Sequence, residues 1–308
     1  MYKTRIVFWG TRGQELTSCH LAEFVKCGAN LIGFVEAPPG SISTVHTEKD
    51  PYEGIHEVAT RLDKPLLCPK TPRDNGFIQE LQKLKPDVLI IICYQFYLPE
   101  EVLSIPPLGA INFHTSLLPR HAGMHPGFWT IWYGDRETGM VVHYLDAGID
   151  TGDIIYETKV PVRTGDTINE VYHRVWDSSV PLVERLLKDL DADTLPRRPQ
   201  DISQYLYNYE IVEKDFELDF RQPAEILFGR VAMRPGKFYF MYQGQKYHVK
   251  KCTVVEEYVH TRKFLTGIPY DVEGKIFFVT PRNFLQIDEV MKDGLAIDPL
   301  AIVQEKQF

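Results

Sequence analysis

Several common signals are missing from this sequence, and their absence excludes classes of protein. No apolar run approaches the roughly 18 residues that a membrane-spanning helix needs. The start, MYKTRIVFWG, lacks the apolar stretch followed by small residues that marks a signal peptide. We therefore expect a cytoplasmic protein with no membrane partner. The five cysteines are an odd number and form no C-x-x-C pair, so reduced, mostly buried thiols are expected.

An excess of basic residues is also missing. The formal net charge is -8 at pH 7, whereas a non-specific nucleic-acid binder is usually basic. The charge disfavours such a binder, although a basic patch can occur on an acidic protein. The composition is that of a globular protein, with 44% hydrophobic and 25% charged residues. A chain of 308 residues has room for two domains.

Apolar runs and helical patterns alternate along roughly the first half of the chain. Short runs such as TRIVFWG, NLIGFVE and DVLIIICY predict strands, and the segments between them have helical spacing. Strands separated by helices indicate an α/β fold, a Rossmann-like and mostly parallel sheet with helices on both faces. Pro181 is expected to break or kink the long amphipathic pattern of residues 167–190.

The composition changes after residue 190. We predict a catalytic domain over residues 1–190, a polar, proline-containing linker over 191–203, and a small domain over 204–308. In this last part helical periodicity mostly disappears, and GKFYFMYQ, QKYHVKKCTVVEE, GKIFFVTP and FLQIDEVM are strand candidates. The prediction is therefore a small, barrel-like C-terminal β domain.

Two polar side chains interrupt an apolar strand in GAINFHTSLLP. Asn112 and His114 are two residues apart, so both point to the same face. Burying a carboxamide and an imidazole without partners costs free energy, and a core histidine satisfied by a neighbour is the ordinary explanation. The carboxyl end of this strand, however, is where open α/β sheets bind ligands. We therefore interpret it as part of a site.

A later loop supplies carboxylates. HYLDAGIDTGDII places Asp146, Asp150 and Asp153 in a glycine-containing loop between two predicted strands. An asparagine and a protonated histidine can each donate a hydrogen bond to an oxyanion, and a nearby aspartate raises the pKa of the histidine. This set suits acyl transfer with a nucleophile from the substrate. Ser116 is the nearest hydroxyl, but no G-x-S-x-G motif surrounds it.

Two other motifs carry less weight. GTRG follows the first strand and Glu36 ends the second, but the pattern is not G-x-G-x-x-G, so a tight turn is favoured over nucleotide binding. His121 and His125 are four residues apart in RHAGMHPG, whose glycines and proline disfavour the helix that a metal-binding pair at this spacing needs. We expect surface histidines and no metal.

The segments NFHTSLLP (112–119) and DAGIDTGDII (146–155), together with GDRETG between them, resemble motifs of the folate-dependent formyltransferases. That family includes methionyl-tRNA formyltransferase, the sugar N-formyltransferases and glycinamide ribonucleotide transformylase. The resemblance covers most of residues 1–190. It implies that Asn112, His114 and Asp150 are catalytic, and that 10-formyltetrahydrofolate donates the formyl group to an amine. RVAMRPGKFYFMYQGQKYHVKKC resembles, more weakly, the β domain of the methionyl-tRNA enzyme.

The resemblance also implies where the donor binds. The pterin in this family is held largely by backbone groups of two loops, which correspond here to residues 94–99 and 145–150. An apolar, aromatic loop beside a strand end suits a flat ring. The residues expected to bind the donor are Tyr94, Phe96, Leu98, Asp146, Ala147, Ile149 and Asp150.

We predict the acceptor from the positions at which this sequence departs from the tRNA branch of the family. The tRNA branch has a basic loop after its second strand, whereas residues 36–54 here contain one lysine, no arginine and four acidic residues. Ala122-Gly123 stands where that branch has Arg-Gly. Trp129, Trp132 and Tyr133 follow at helical spacing, which favours core packing over stacking on a ligand ring.

We therefore favour a small-molecule amine, first a nucleotide-linked amino sugar and then an amino-acid amine such as a hydroxylated ornithine. Initiator tRNA is disfavoured but stays the principal alternative. A 10-formyltetrahydrofolate hydrolase and a non-catalytic folate-binding protein are further alternatives. The sequence leaves open whether the protein is a monomer or a homodimer.

Overall fold

The computed structural model describes residues 2–38, 51–256 and 265–304. These residues belong to two compact units. The first comprises residues 1–126, 138–160 and 172–208, and the second comprises residues 127–137, 161–171 and 209–308. In the described residues no helix is long and apolar enough to cross a membrane.

Strands and helices alternate as predicted in the first half of the chain. The strands are β1 (Ile6–Gly10), β2 (Leu31–Glu36), β3 (Leu66–Leu67), β4 (Val88–Ile92), β5 (Ala110–His114), β6 (Arg120–Gly123), β7 (Glu137–Tyr144), β8 (Ile154–Pro161), β9 (Leu206–Asn208), β10 (Tyr239–Tyr242), β11 (Gln245–Val255), β12 (Pro269–Val272), β13 (Lys275–Val279), β14 (Phe284–Lys292) and β15 (Leu295–Ile297). The α-helices are α1 (Glu15–Lys26), α2 (Ile55–Arg61), α3 (Asn75–Leu84), α4 (Glu100–Leu103), α5 (Pro126–Tyr133), α6 (Ile168–Ser179), α7 (Leu182–Ala192), α8 (Ala224–Met233) and α9 (Ala301–Gln304). Helices α6 and α7 end and begin on either side of Pro181, as predicted.

A seven-stranded sheet forms the centre of the first unit, in the order β3-β2-β1-β4-β5-β7-β8. The pairs from β3 to β5 are parallel, whereas β5 and β7 are antiparallel. The prediction of a mostly parallel sheet is confirmed. The strand order reverses between β1 and β4, and ligands of open α/β sheets bind beside such a reversal, outside the carboxyl ends of the strands.

Helices cover both faces of this sheet. Successive side chains of a strand point to opposite faces, so neighbouring residues of β1 contact different helices. Phe8 of β1 packs edge-on against Phe24 of α1, with ring centroids 5.6 Å apart. The next residue, Trp9, packs against Phe77 of α3 on the other face, at 5.5 Å. The Asp74 side chain caps the start of helix α3, since it accepts a hydrogen bond from the Phe77 N–H at 2.7 Å.

Strands β6 and β9 form a separate two-stranded parallel sheet. Neither was among the predicted strands, and β9 falls just after the predicted linker of residues 191–203. The predicted domain boundaries stay a prediction. Residues 191–208 belong to the first unit, where Arg198 is joined to Ile154 by two backbone hydrogen bonds of 2.8 and 3.0 Å. The segment therefore contributes to the architecture around β7 and β8.

The second unit contains an antiparallel sheet, in the order β10-β11-β14-β13-β12 with β15 beside β14. It forms a half-barrel, and the four predicted strand candidates lie on β10, β11, β13 and β14, which confirms the C-terminal β prediction. Aromatic rings fill its core: Phe220 stacks on Phe278 with centroids 3.9 Å apart. Helix α8 was not predicted. In α5, Trp129 is 1% exposed, so it packs in the core as its spacing predicted.

Candidate active site

The carboxyl end of β5 and the loop between β7 and β8 bring the three predicted catalytic residues together. Nδ1 of His114 lies 3.5 Å from Oδ2 of Asp150. Asn112 reaches the same carboxylate through His143, because Nδ2 of Asn112 lies 3.1 Å from Nε2 of His143, which lies 3.6 Å from Oδ1 of Asp150. The predicted group is therefore one continuous network with a fourth member.

Asp150 is held in place by its backbone and by donors around its carboxylate. Its φ of 54° is in the left-handed region, which is uncommon for a residue with a side chain. The Gly123 N–H from β6 donates to Oδ2 at 2.8 Å. Burial alone raises the pKa of Asp150, but His114, His143 and the Gly123 N–H outweigh it and leave the pKa well below its usual value. Asp150 is therefore an anion at neutral pH.

His114 is buried, and its two ring nitrogens have different partners. Nε2 donates to the backbone carbonyl of His121 at 2.8 Å, so Nδ1 is the nitrogen that faces Asp150. Burial lowers the pKa of His114 below its usual value, and the opposing effect of Asp150 is smaller. The expectation that the carboxylate would raise this pKa is therefore reversed by burial. The resting imidazole is neutral, with its hydrogen on Nε2.

The register of the sheet determines which side chain lies beside Asn112. The β5–β7 pairing places it directly opposite His143, whose side chain has no exposed surface. Nδ1 of His143 lies 2.8 Å from the Tyr144 carbonyl oxygen, so it donates there and leaves Nε2 to accept from the Asn112 amide. This contact fixes the position of the carboxamide. The sequence analysis missed His143, although an imidazole in the apolar run GMVVHYL is the same signal that identified His114.

Asn112, His114 and Asp150 line a cavity of about 370 Å³. Six of the seven residues predicted to bind the donor also line it, and the exception is Ala147. Aromatic and apolar side chains form much of the wall, with Asp146 and Asp150 on one side. The lining includes Thr11, Cys93, Tyr94, Phe96, Tyr97, Leu98, Leu103, Met124, His125, Leu145, Ile149 and Tyr207.

The two predicted donor-binding loops are joined to each other. The Tyr97 hydroxyl donates to the Ala147 carbonyl at 2.8 Å, so Ala147 contacts the other loop through its backbone. Asp146 turns its own loop, because Oδ1 accepts from the Gly148 N–H at 2.9 Å and from the Thr151 hydroxyl at 2.7 Å. This loop is preorganised beside the cavity.

Gln200 of the predicted linker and Tyr205, two residues beyond it, also support the site. Gln200 donates from Nε2 to the carbonyls of Asp150 and Gly152, at 2.8 and 2.7 Å. The Tyr205 hydroxyl donates to the Ile149 carbonyl at 3.0 Å. These roles were not predictable from the sequence, since a polar, proline-containing segment is also typical of a linker.

The two motifs that carried less weight in the sequence contain residues with structural rather than ligand-binding surroundings. Glu36 pairs with Arg12 at 2.7 Å, which gives this buried carboxylate a structural partner. His121 is 3% exposed, so the expectation of a surface histidine is wrong there. Among the residues that the structure describes, no group of three or more His, Cys, Asp or Glu side chains is arranged to hold a metal ion.

Comparisons with known proteins agree on one family. A family model described as formyl transferase matches residues 32–186. A methionyl-tRNA formyltransferase of Syntrophus aciditrophicus (strain SB) is 32% identical over 244 residues, which cover 78% of this chain and 77% of that protein. Another, of Alkaliphilus oremlandii (strain OhILAs), is 28% identical and covers 94% and 92% of the two chains.

A solved structure shares the fold over nearly the whole chain. It is an N-formyltransferase from Helicobacter canadensis in complex with folinic acid and dTDP-3-aminofucose. The TM-score is 0.67 at 15% identity, and the match covers 94% of this chain and 100% of that one.

Proposed function

Because the chain belongs to the formyl transferase family, we propose that it transfers the formyl group of 10-formyltetrahydrofolate to the primary amine of a small molecule. The observation that carries the proposal is the group of Asn112, His114 and Asp150 on the wall of an apolar, aromatic cavity. An oxyanion donor, a base and a buried carboxylate are what formyl transfer to an amine requires.

The lining of the cavity supports its assignment as the folate site. A flat pterin ring needs apolar surface for its faces and backbone groups for its edge. Tyr94, Phe96 and Leu98 supply the apolar surface, and the loop of residues 145–150 supplies backbone groups beside it. Asp146, Ala147, Ile149 and Asp150 belong to this second loop, which we propose holds the edge of the ring.

The acceptor nitrogen bonds to the formyl carbon of the donor, whose oxygen takes the electron pair of the C=O π bond, and the bond to the folate nitrogen breaks when that oxygen re-forms the carbonyl. The Asn112 amide donates a hydrogen bond to the oxygen that becomes negative. Nδ1 of neutral His114 takes the proton that the attacking amine loses, and Asp150, 3.5 Å away, stabilises the imidazolium. The charged His114 then supports the same oxygen and returns its proton to the departing folate nitrogen.

We favour a nucleotide-linked amino sugar as acceptor, followed by an amino-acid amine. The net charge of -8 and the scarcity of basic residues in 36–54 disfavour a polyanionic tRNA. Residues 39–50 of that loop lie outside the described part of the chain, so this support rests on its sequence. The Helicobacter canadensis neighbour, bound to an amino sugar nucleotide, is consistent with the first choice.

Methionyl-tRNA is the second candidate acceptor. Its support is that the curated relatives at 28% and 32% identity are methionyl-tRNA formyltransferases. Water as acceptor, which would make the protein a hydrolase, and folate binding without turnover complete the alternatives.

The test is an acceptor panel. Purified protein is incubated with 10-formyltetrahydrofolate, and tetrahydrofolate release is followed with amino-sugar nucleotides, ornithine derivatives, methionyl-tRNA and no acceptor. We expect release with one small amine, and about a 100-fold or larger loss of rate in Asn112→Ala and in His114→Ala. Near-normal turnover by either variant contradicts the assigned site. Release in the control without acceptor indicates a hydrolase, and folate binding with no release throughout supports a binding protein.

A further inference from the structure

We propose that Asn208 is a positioning residue for His114, acting through a β-bulge at His121. Neither Asn208 nor His121 touches the reacting atoms. The predicted effect on catalysis rests on the proposed function, whereas the predicted effect on the position of the His114 proton does not.

The bulge lies in the two-stranded sheet of β6 and β9. Arg120 pairs with Leu206 and Ala122 pairs with Tyr207, so His121 is an extra residue between them. Its φ of 62° is left-handed, which a side chain disfavours unless the surroundings hold it. Bulges beside active sites often redirect a backbone group.

Here the redirected group is the His121 carbonyl. It accepts the Nε2–H of His114 at 2.8 Å. This bond places the resting proton on Nε2 and leaves Nδ1 bare beside Asp150. If the carbonyl moves away, the proton can shift to Nδ1, where the carboxylate attracts it, and the base that the mechanism requires is lost. The bulge therefore selects the tautomer of His114.

Asn208 holds the bulge from the opposite strand. Its carboxamide nitrogen lies 3.2 Å from Nδ1 of the His121 ring. Its backbone carbonyl accepts the Met124 N–H at 3.0 Å, which fastens the end of β6. Asn208 is 1% exposed, so solvent does not compete for its side chain. The fit is close, because a Cβ on Gly123 would collide with the Asn208 carbonyl and the Tyr207 ring.

The first measurement is the tautomer of His114, read from ¹⁵N chemical shifts of protein labelled at histidine, since protonated and bare ring nitrogens differ widely in shift. The His114 signals are assigned by their loss in His114→Ala. We expect wild type to show the proton on Nε2 and Asn208→Ala to show a mixture or the Nδ1 form. Asn30→Ala is the matched control: it removes a carboxamide hydrogen bond to the Lys3 carbonyl at 3.0 Å, at the opposite edge of the sheet. Unchanged His114 shifts in folded Asn208→Ala overturn the proposal.

The second measurement is a double-mutant cycle on turnover. We expect Asn208→Ala to lower kcat about 10- to 100-fold, the scale for losing a supporting partner, with the KM for the folate nearly unchanged. Glycine tolerates the left-handed conformation without help, so in a His121→Gly background Asn208→Ala should have no further effect on kcat. Additive losses in the cycle contradict action through the His121 ring.

Misfolding of the variant and a lack of turnover in wild type can each be distinguished from failure of the proposal. Circular dichroism shows whether Asn208→Ala folds, and Asn208→Ser, which lacks the amide nitrogen, replaces it in both measurements if it does not. If wild type turns over no acceptor, the proposed function fails, while the ¹⁵N shifts still decide whether Asn208 sets the tautomer of His114.

Discussion

At the residue scale, burial and a carboxylate act on one proton of His114 in opposite directions. Burial favours the neutral ring and Asp150 favours the charged one, and burial is the larger effect. A base with a lowered pKa stays neutral at the pH of the cell. In the proposed mechanism it becomes charged only when the attacking amine delivers a proton, and the carboxylate that stabilises this charge is already in place.

We predict that His114 titrates below its ordinary value of about 6.5, and that Asp150→Asn lowers its pKa further. The sign follows from the geometry, because the substitution removes the carboxylate that lies 3.5 Å from the ring and stabilises its charged form. An NMR titration of the histidine ring protons measures both values. His20, whose burial lowers its pKa to about 4, is the control and should titrate alike in both proteins. A rise in the pKa of His114 in Asp150→Asn contradicts the prediction.

Asn112 and His114 stood out in the sequence as polar side chains in an apolar strand, whereas Asp150 was one of three aspartates in a loop and was selected by the family motif. The structure shows that these three lie together. Gln200 and Asn208 carried no such mark, since an amide in a polar segment is ordinary until its partner is known. Gln200 donates to two backbone carbonyls and Asn208 contacts a bulged residue, and neither kind of partner is a property of local sequence.

At the element scale, the end of the β7–β8 pair sets the position of the loop that carries Asp150. The Tyr144 N–H donates to the Asp153 carbonyl at 3.0 Å across this pair. Gly152 lies against the Tyr144 carbonyl, and a Cβ at Gly152 would clash with that oxygen. The close approach of two backbones explains why the position needs glycine although its φ is not left-handed.

We predict that Gly152→Ala lowers the free energy of unfolding by about 1–3 kcal/mol, the usual cost of overpacking, and also lowers turnover. Gly229→Ala is the matched control: it lies inside α8, where the nearest atom to an added Cβ is at an ordinary contact distance of 4.0 Å. It should raise the free energy of unfolding by about 0.5–1 kcal/mol, because alanine favours a helix. Urea unfolding of both variants checks the pair, and equal stabilities would contradict the clash.

Most elements of the first unit were predictable because each has its own periodicity. Strands β6 and β9 were not, since they have four and three residues and the bulged strand contains a glycine. Each becomes a strand only by pairing with the other, across more than eighty intervening residues. Such pairing is set by tertiary structure rather than by propensity.

At the scale of the whole molecule, charge is the property that bears most on the acceptor. The chain carries 34 basic and 42 acidic side chains. Acidic and basic residues are nearly balanced after residue 208, so the C-terminal half-barrel gains no excess of positive charge from its sequence. The fold class and family were predictable from sequence, whereas the acceptor was not, because it depends on a few contacts that no motif encodes.

We predict that methionyl-tRNA binds weakly, with a Kd of about 10⁻⁴ M or above at physiological salt, the weak end of non-specific binding. Filter binding measures it, and the Syntrophus aciditrophicus relative serves as the positive control. Tight binding that falls steeply with added salt would indicate phosphate contacts and favour the tRNA candidate.

The pairing of β6 with β9 also orders events during synthesis. A ribosome makes the chain from its N-terminus, and domains begin to fold as they emerge. The last strand of the seven-stranded sheet ends at Pro161, so the scaffold is available well before Gln200 and Asn208 exist. A nascent chain thus carries Asn112, His114 and Asp150 before it has the strand that shapes the bulge. If the proposed role of Asn208 holds, an unfinished chain has the sheet and the three site residues but lacks the strand that positions His114 as a base.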